Sequence, residues 1–211
     1  ATTIENSLIK DNQYGLEATG PGTLTLNNNT FTNNITGSAF ISFNDGKSFI
    51  SSGNTASGNG QNGIVVFGAM STDQTWTDQM PYIVLNLTVS AGKTLTVNAG
   101  AKVKFNYGSF MTVSGDLNVN GTPANEVYFT SIRDDSAGGD TNNDGFSSGA
   151  QGDWNQIMIT AGSVTNLNYS VIRFGSGGWP HYTNISLSGG SLLMSNSVIS
   201  SGSTGLRIYN G

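Results

Sequence analysis

Carboxylates are scarce in this 211-residue chain, so the place where they gather is the first place to look for chemistry. Asp134, Asp135, Asp140, Asp144 and Asp153 all fall between Ser131 and Trp154. Within that stretch, Asp140-Thr141-Asn142-Asn143-Asp144-Gly145 matches the D-x-[DN]-x-[DN]-G opening of a calcium loop. In such a loop alternate side-chain oxygens converge on a hard cation and the glycine makes the sharp turn. Position 12 of the loop calls for Glu, but Gln151 stands there. The rest of the shell then falls to the Phe146 carbonyl, to Asp153, or to one of Asp134 and Asp135. The expectation is a structural Ca²⁺ site formed by Asp140, Asn142, Asp144, Phe146 and Asp153, pinning a long loop. The competing reading is a solvated loop whose Asp and Asn cap turns.

Acid/base catalysis has less to work with. Asp134-Asp135 is the only adjacent acidic pair. Neighbouring residues of a strand point to opposite faces, so the two act together only from a loop, and a structural or calcium role is the expected one. His181, the single histidine, lies in Gly178-Trp179-Pro180-His181-Tyr182. Trp179, His181 and Tyr182 are candidate glycan contacts, against the plainer reading of a packed loop tip. Trp76 falls in an interruption from Met70 to Pro81, and Trp154 is expected to cover an edge of the core.

Partners are bounded by charge. Eight Lys and Arg against 13 Asp and Glu give a net charge of −5, which offers no electrostatic footprint for a phosphate backbone. No Cys is present, so neither disulfides nor thiolate metal sites hold the chain together. No apolar run exceeds that of Tyr82-Ile83-Val84-Leu85, far below the 18 or so residues of a membrane span. The expectation is mature, soluble material with no membrane span and no signal peptide in this segment.

The elements that must position these residues follow from composition and spacing. Gly, Asn, Ser and Thr number 29, 25, 26 and 23, close to half the chain, and such residues are poor helix formers. Charged residues are only 10%, and 36% hydrophobic content is regularly placed, which argues against disorder as well as against helical bundles. Polar turns feeding short apolar strands recur at Asn6, Asn28, Gly53, Asn168 and Asn196, at intervals of 22, 25 and 28 residues inside each group. Apolar doublets fill the middle: Leu87/Val89, Leu95/Val97, Val103/Phe105, Met111/Val113, Leu117/Val119 and Val127/Phe129. Strands this short are unstable as hairpins, and each buries only one face. Stacking coil on coil in parallel register pairs every backbone group and joins the inward residues into one core. The fold expected is therefore all-β: a right-handed parallel β-helix, a solenoid of about eight or nine coils of roughly 22 to 25 residues with three short strands per coil. Loop insertions are expected near 70–81 and 133–153, and Asn side chains are expected to form ladders at the turns. A β-sandwich uses the same alternation but wants longer strands and hairpin turns.

The chain reads as one β-helix segment, 1–211. Its last coil, through Asn196-Ser197-Val198-Ile199, leads 21 residues on to Asn6-Ser7-Leu8-Ile9 if Gly211 is followed by a second Ala1. This suggests one unit of a tandem array, with neighbouring copies of the same unit as end-to-end partners. Arbitrary boundaries are the competing explanation.

The run Leu87-Thr88-Val89, Ala91-Gly92-Lys93-Thr94-Leu95-Thr96-Val97, Gly100-Ala101-Lys102-Val103-Lys104-Phe105, Gly115-Asp116-Leu117-Asn118-Val119-Asn120-Gly121-Thr122 and Val127-Tyr128-Phe129-Thr130-Ser131 resembles bacterial right-handed parallel β-helix repeat proteins. These are secreted or surface-attached chains of pectate-lyase-like architecture. The Asp-rich stretch and Gly152-Asp153-Trp154 are similar to an insertion of that group. The resemblance implies an extracellular or cell-surface location, and it is specific for architecture and weak for activity, since one fold serves lyases, hydrolases, adhesins and fibres. Polygalacturonase-like relatives carry an Asn-Thr-Asp motif, an Asp-Asp pair, a Gly-His-Gly and an Arg-Ile-Lys. Here only Asp134-Asp135 and Arg207-Ile208-Tyr209 correspond, and His181 lacks flanking glycines. Arg133 beside Asp134 is the one candidate for a lyase base. The function expected is a non-catalytic structural or adhesive module of a bacterial fibre or surface protein, with catalysis absent or outside this segment. The alternative is a carbohydrate-active β-helix fragment, a lyase, hydrolase or glycan binder.

Overall fold

The computed structural model describes residues 1–178 and 182–209, and is a parallel β-solenoid of about eight turns. Its strands are numbered β1 to β22 in chain order. The first wall carries eight rungs: β1 (Thr2–Glu5), β4 (Gly22–Asn27), β7 (Lys47–Ser52), β10 (Gln74–Trp76), β12 (Thr94–Asn98), β14 (Asp116–Asn120), β17 (Val164–Asn168) and β20 (Ser191–Ser195). The upper three and lower five are joined where Phe49 N–H donates to Gln74 Oε1 at 3.3 Å. A second wall has three rungs, β2 (Leu8–Lys10), β5 (Thr30–Thr32) and β8 (Thr55–Ser57). The third wall collects the other eleven strands. They are β3 (Tyr14–Ala18), β6 (Gly37–Ser42), β9 (Ile64–Met70), β11 (Tyr82–Val89), β13 (Lys102–Val113), β15 (Val127–Ser131), β16 (Ile157–Thr160), β18 (Ser170–Arg173), β19 (Thr183–Ser188), β21 (Val198–Ser200) and β22 (Thr204–Tyr209). Among the described residues every pairing between these strands is parallel, and the one helical element is a short 3₁₀ turn, Asn44–Gly46.

The apolar doublets do what their spacing requires. All six pairs from Leu87/Val89 to Val127/Phe129 are buried and belong to one continuous core. Stacked aromatics extend it: Phe105 lies on Trp154 at 4.1 Å and Trp76 on Tyr82 at 4.6 Å. The longest apolar runs belong to strands covered on both faces. Behind the third wall Val65 and Ile83 pack with Ile132 in a second, smaller cluster.

The corners flanking the short strands are left-handed at a fixed spacing of five: Asn6 and Asp11, Asn28 and Asn33, Gly53 and Gly58, Tyr169 and Phe174, Asn196 and Ser201. Asn and Gly enter this conformation at low cost. Two ladders of amide side chains run beside these corners. In one, Ser7 N–H donates to Asn29 Oδ1, Asn29 Nδ2 to Asn54 Oδ1 and Asn54 Nδ2 to Gln79 Oε1, at 3.0–3.1 Å. In the other, Asn12 N–H donates to Asn34 Oδ1, Asn34 Nδ2 to Asn59 Oδ1 and Asn59 Nδ2 to Asn62 Oδ1, at 2.8–3.1 Å.

The segment 70–81, expected as an insertion, instead contains a regular rung. Gln74–Trp76 pairs with Leu95–Val97, and both Gln74 and Trp76 point inward and are buried. An inward glutamine hides the alternation, and it is tolerated because its Oε1 is a hydrogen-bond acceptor for the coil above. Coil four is nevertheless short. Ala39 and its partner Ile64 are 25 residues apart, but Ile64 and its partner Tyr82 only 18. The shortfall is about the length of one rung of the second wall with its corner, so that wall ends at β8 and leaves a ledge. The segment 133–153 is an excursion between β15 and β16, as expected, and it folds back over that ledge.

Candidate functional site

Three groups of side chains meet at the ledge. The first anchors the excursion. Asp134 is buried and accepts hydrogen bonds from Thr130 Oγ1 at 2.5 Å, Ser136 Oγ at 2.7 Å and Arg173 Nε at 2.8 Å, with Arg173 Nη2 at 2.6 Å. Burial pushes this carboxyl up, but those hydrogen bonds and the guanidinium charge outweigh it and hold Asp134 below the usual carboxylate range. The Arg173 guanidinium also lies over the rings of Tyr128 and Phe174, at 5.4 and 5.3 Å. Such a carboxylate stays ionised and fully engaged, so its chemistry is anchoring and not proton transfer.

The second group ties the loop to coils that precede it. Lys104 sits between the inward Val103 and Phe105, on the outer face of the third wall, and is fully buried beneath the loop. Its Nζ donates to Gly139 O at 2.9 Å and Thr141 Oγ1 at 2.7 Å. Burial lowers its pKa to about 8, against the opposing pull of Asp134, Asp135 and Asp140. Asn62 ends the second amide ladder by docking on the same loop, its N–H on Thr141 O at 2.7 Å and its Nδ2 on Asp140 O at 3.1 Å. The excursion is thus a strap that covers part of an otherwise bare coil edge.

The third group is the acidic cluster. One carboxylate oxygen each from Asp135, Asp140 and Asp144 lies within 4.8 Å of the others. Oxygens this close could share one hard cation. Asp140 also accepts the N–H groups of Asp144 and Gly145, at 3.2 and 3.0 Å, which is the turn-capping role of the solvated-loop reading. Asn142 Nδ2 donates to Asp144 Oδ2 at 2.7 Å, while the buried Asn142 Oδ1 and Asp135 Oδ1 have no hydrogen-bond partner among the described residues.

Of the expected ligands, Asp140 and Asp144 come together, with Asn142 beside them and Asp135 completing the trio. Phe146 has a fully exposed side chain. Asp153 is not a member of the trio; its Oδ2 accepts from Ser131 Oγ at 2.6 Å and Ala150 N–H at 2.9 Å. Trp179 and His181 lie outside the described residues. Tyr182 is about half exposed and has a left-handed backbone. Sequence reasoning missed Lys104, Asn62 and Arg173. A lysine between two inward apolar residues reads as solvent-facing, and only the strap makes it otherwise.

Between β8 and the strap an open cleft of about 590 Å³ remains, lined by Thr55, Ala56, Gln79, Met80, Lys102 and Asp140 among others. Lys102 Nζ is paired with Asp78 Oδ1 at 3.0 Å on its rim. Compared with family models, curated proteins and solved structures, the chain finds no significant match. Any functional reading therefore rests on geometry. Among the described residues no helix is long and apolar enough to cross a membrane.

Proposed function

We propose that this solenoid is a non-catalytic structural segment of a bacterial extracellular fibre or surface protein, continuing end to end with coils of its own kind. The observation that carries the reading is the likeness of the first and last coils. Asn6/Asp11 and Asn196/Ser201 are left-handed corners at the same spacing, flanking rungs of like sequence, Ser7-Leu8-Ile9 and Ser197-Val198-Ile199. Between coils seven and eight Ser170 N–H donates to Ser197 Oγ at 2.9 Å. In sequence Ser7 takes the corresponding place of coil one, so stacked copies would set β21, at the end of the third wall, against β2 of the second, with Ser7 Oγ as the acceptor for Ser197 N–H. Both terminal coils also leave apolar residues in the open, including Leu8, Val198, Leu206 and Ile208.

In sedimentation velocity and electron microscopy the protein should form concentration-dependent rods one column wide. Charging the last coil with Leu206→Lys and Ile208→Lys should return it to monomers. A wild-type protein that stays monomeric at every concentration contradicts end-to-end continuation. Release of unsaturated or reducing ends from pectin or alginate favours the carbohydrate-active alternative instead.

Within this reading Ca²⁺ serves as the pin of the strap, held by Asp135, Asp140 and Asp144 with the Asn142 carbonyl oxygen. Extracellular sites of this kind bind at about 10⁻⁴–10⁻³ M, and saturation at 100 times Kd stabilises by about 2.7 kcal/mol. Calorimetric titration of the EDTA-treated protein should show one such site and a raised melting temperature. Asp140→Asn with Asp144→Asn should abolish both. An unchanged melting temperature with and without the ion leaves the strap as a hydrogen-bonded loop only.

A further inference from the structure

The second wall ends inside the molecule and not at an end of the column. Among the described residues β8 has β5 as its one strand partner. On that side Thr55 N–H donates to Asn29 O at 2.9 Å, and Ser57 O accepts from Asn33 N–H at 3.3 Å. Successive residues of a strand turn their backbone groups to opposite sides. The N–H and C=O of Ala56, between those two, therefore point away from β5 and into the cleft. In coil four the chain continues the amide ladder with Gln79 and reaches β11 by Tyr82, supplying no rung of its own above β8. The strap covers the ledge next to Asn62 but leaves the part above Thr55–Ser57 open.

We propose that this cleft binds an extended peptide from another protein, which adds a fourth rung to the second wall, parallel to β8. An unpaired strand edge is a template for such addition, main-chain hydrogen bonds giving affinity and alternate side chains giving selectivity. The ladder already established fixes the register. Ala56 N–H donates to the carbonyl of the peptide residue before its own partner, and Ala56 C=O accepts from the residue after it, as Thr55 does with Asn29 and Phe31. The side-chain preferences follow from what lies beneath. Ala56 faces the core beside the nearly buried Met80, so the residue above it is apolar and of modest size. Thr55 and Ser57 are exposed on either side and match Thr or Ser. Lys102 is paired with Asp78 and the Asp140 carboxylate is engaged by the N–H groups of Asp144 and Gly145, so nothing there demands a charged peptide. The occupant is thus a neutral segment of the form Thr-Val-Thr flanked by Asn. A sugar chain lacks the backbone alternation that Ala56 requires.

The test uses the intact protein and the capped peptide Asn-Asn-Thr-Val-Thr-Asn-Asn. Amide NMR should show saturable shifts centred on Thr55–Ser57. N-methylation of the peptide's second Thr removes the donor to Ala56 C=O and should weaken binding about tenfold or more, about 1.4 kcal/mol. N-methylation of Val, whose N–H faces the far side, should leave affinity within about twofold. Ala56→Pro deletes the outward N–H while sparing both bonds to β5 and should abolish binding. The proposal is overturned by unshifted Thr55–Ser57 amides at millimolar peptide, by equal effects of the two methylations, or by a neutral oligosaccharide displacing the peptide from those amides.

Discussion

Replacing Trp154 by alanine should destabilise the protein by about 3–5 kcal/mol, the cost of emptying a large aromatic site in a packed core. Trp154 is fully buried, lies nearly parallel to Phe105 at an interplanar angle of 11°, and donates Nε1–H to Arg173 O at 2.9 Å. It follows the strap directly and seals the core at the point where the chain re-enters the column. For a chain of this size the loss corresponds to a drop in melting temperature of about 6–20 °C. Trp154→Phe keeps the stack and forfeits the hydrogen bond, so about 1–2 kcal/mol is expected. Urea denaturation of the two variants checks the order. Equal losses would mean that the hydrogen bond and not the stack holds the strap's exit.

Asp134→Ala should cost about 3–5 kcal/mol, because it leaves the partly buried Arg173 without its carboxylate and strips the acceptor from Thr130 and Ser136. The pH dependence follows from the depressed pKa of Asp134. Its contribution is fully present above the unfolded value of about 3.9 and is lost as pH falls through the lower folded value. The wild type should therefore lose more stability than Asp134→Ala on acidification below about pH 4. Curves that stay parallel through that range would show that the pair adds nothing. Replacing both partners, Asp134→Leu with Arg173→Met, should recover much of the loss, since an apolar pair leaves no stranded charge.

The column was legible from small apolar doublets at near-constant spacing, because each inward pair must meet the pair one coil away. The corners were legible for a similar reason: Asn and Gly at left-handed positions announce a turn whatever surrounds them. The fourth coil was not. Its inward Gln74 breaks the apolar alternation, and only the Phe49 amide above explains why a polar side chain is tolerated there. The aspartate loop was readable as a cation-binding pattern, and its position was not. Asn62 and Asp140 are 78 residues apart, and no local pattern in either says that one docks on the other. Lys104 illustrates the same limit. Its burial is a property of the strap, laid over it from a stretch some 35 residues further along the chain.

The central claim is that the stack runs on unbroken across the strap, with β14 directly against β17 although 48 residues separate their partners. Asn118 and Asn166 are register-matched there, with Asn166 Nδ2 donating to Asn118 Oδ1 at 2.9 Å. Paired parallel strands lie about 4.8 Å apart, within the Cα separation a disulfide spans. The chain has no cysteine of its own, so mild oxidation of Asn118→Cys with Asn166→Cys reads the register without interference. The stacked column predicts rapid, complete cross-linking of that pair and none for Asn118→Cys with Leu167→Cys, whose second side chain points inward. Equal cross-linking of the two pairs, or of neither, would contradict it.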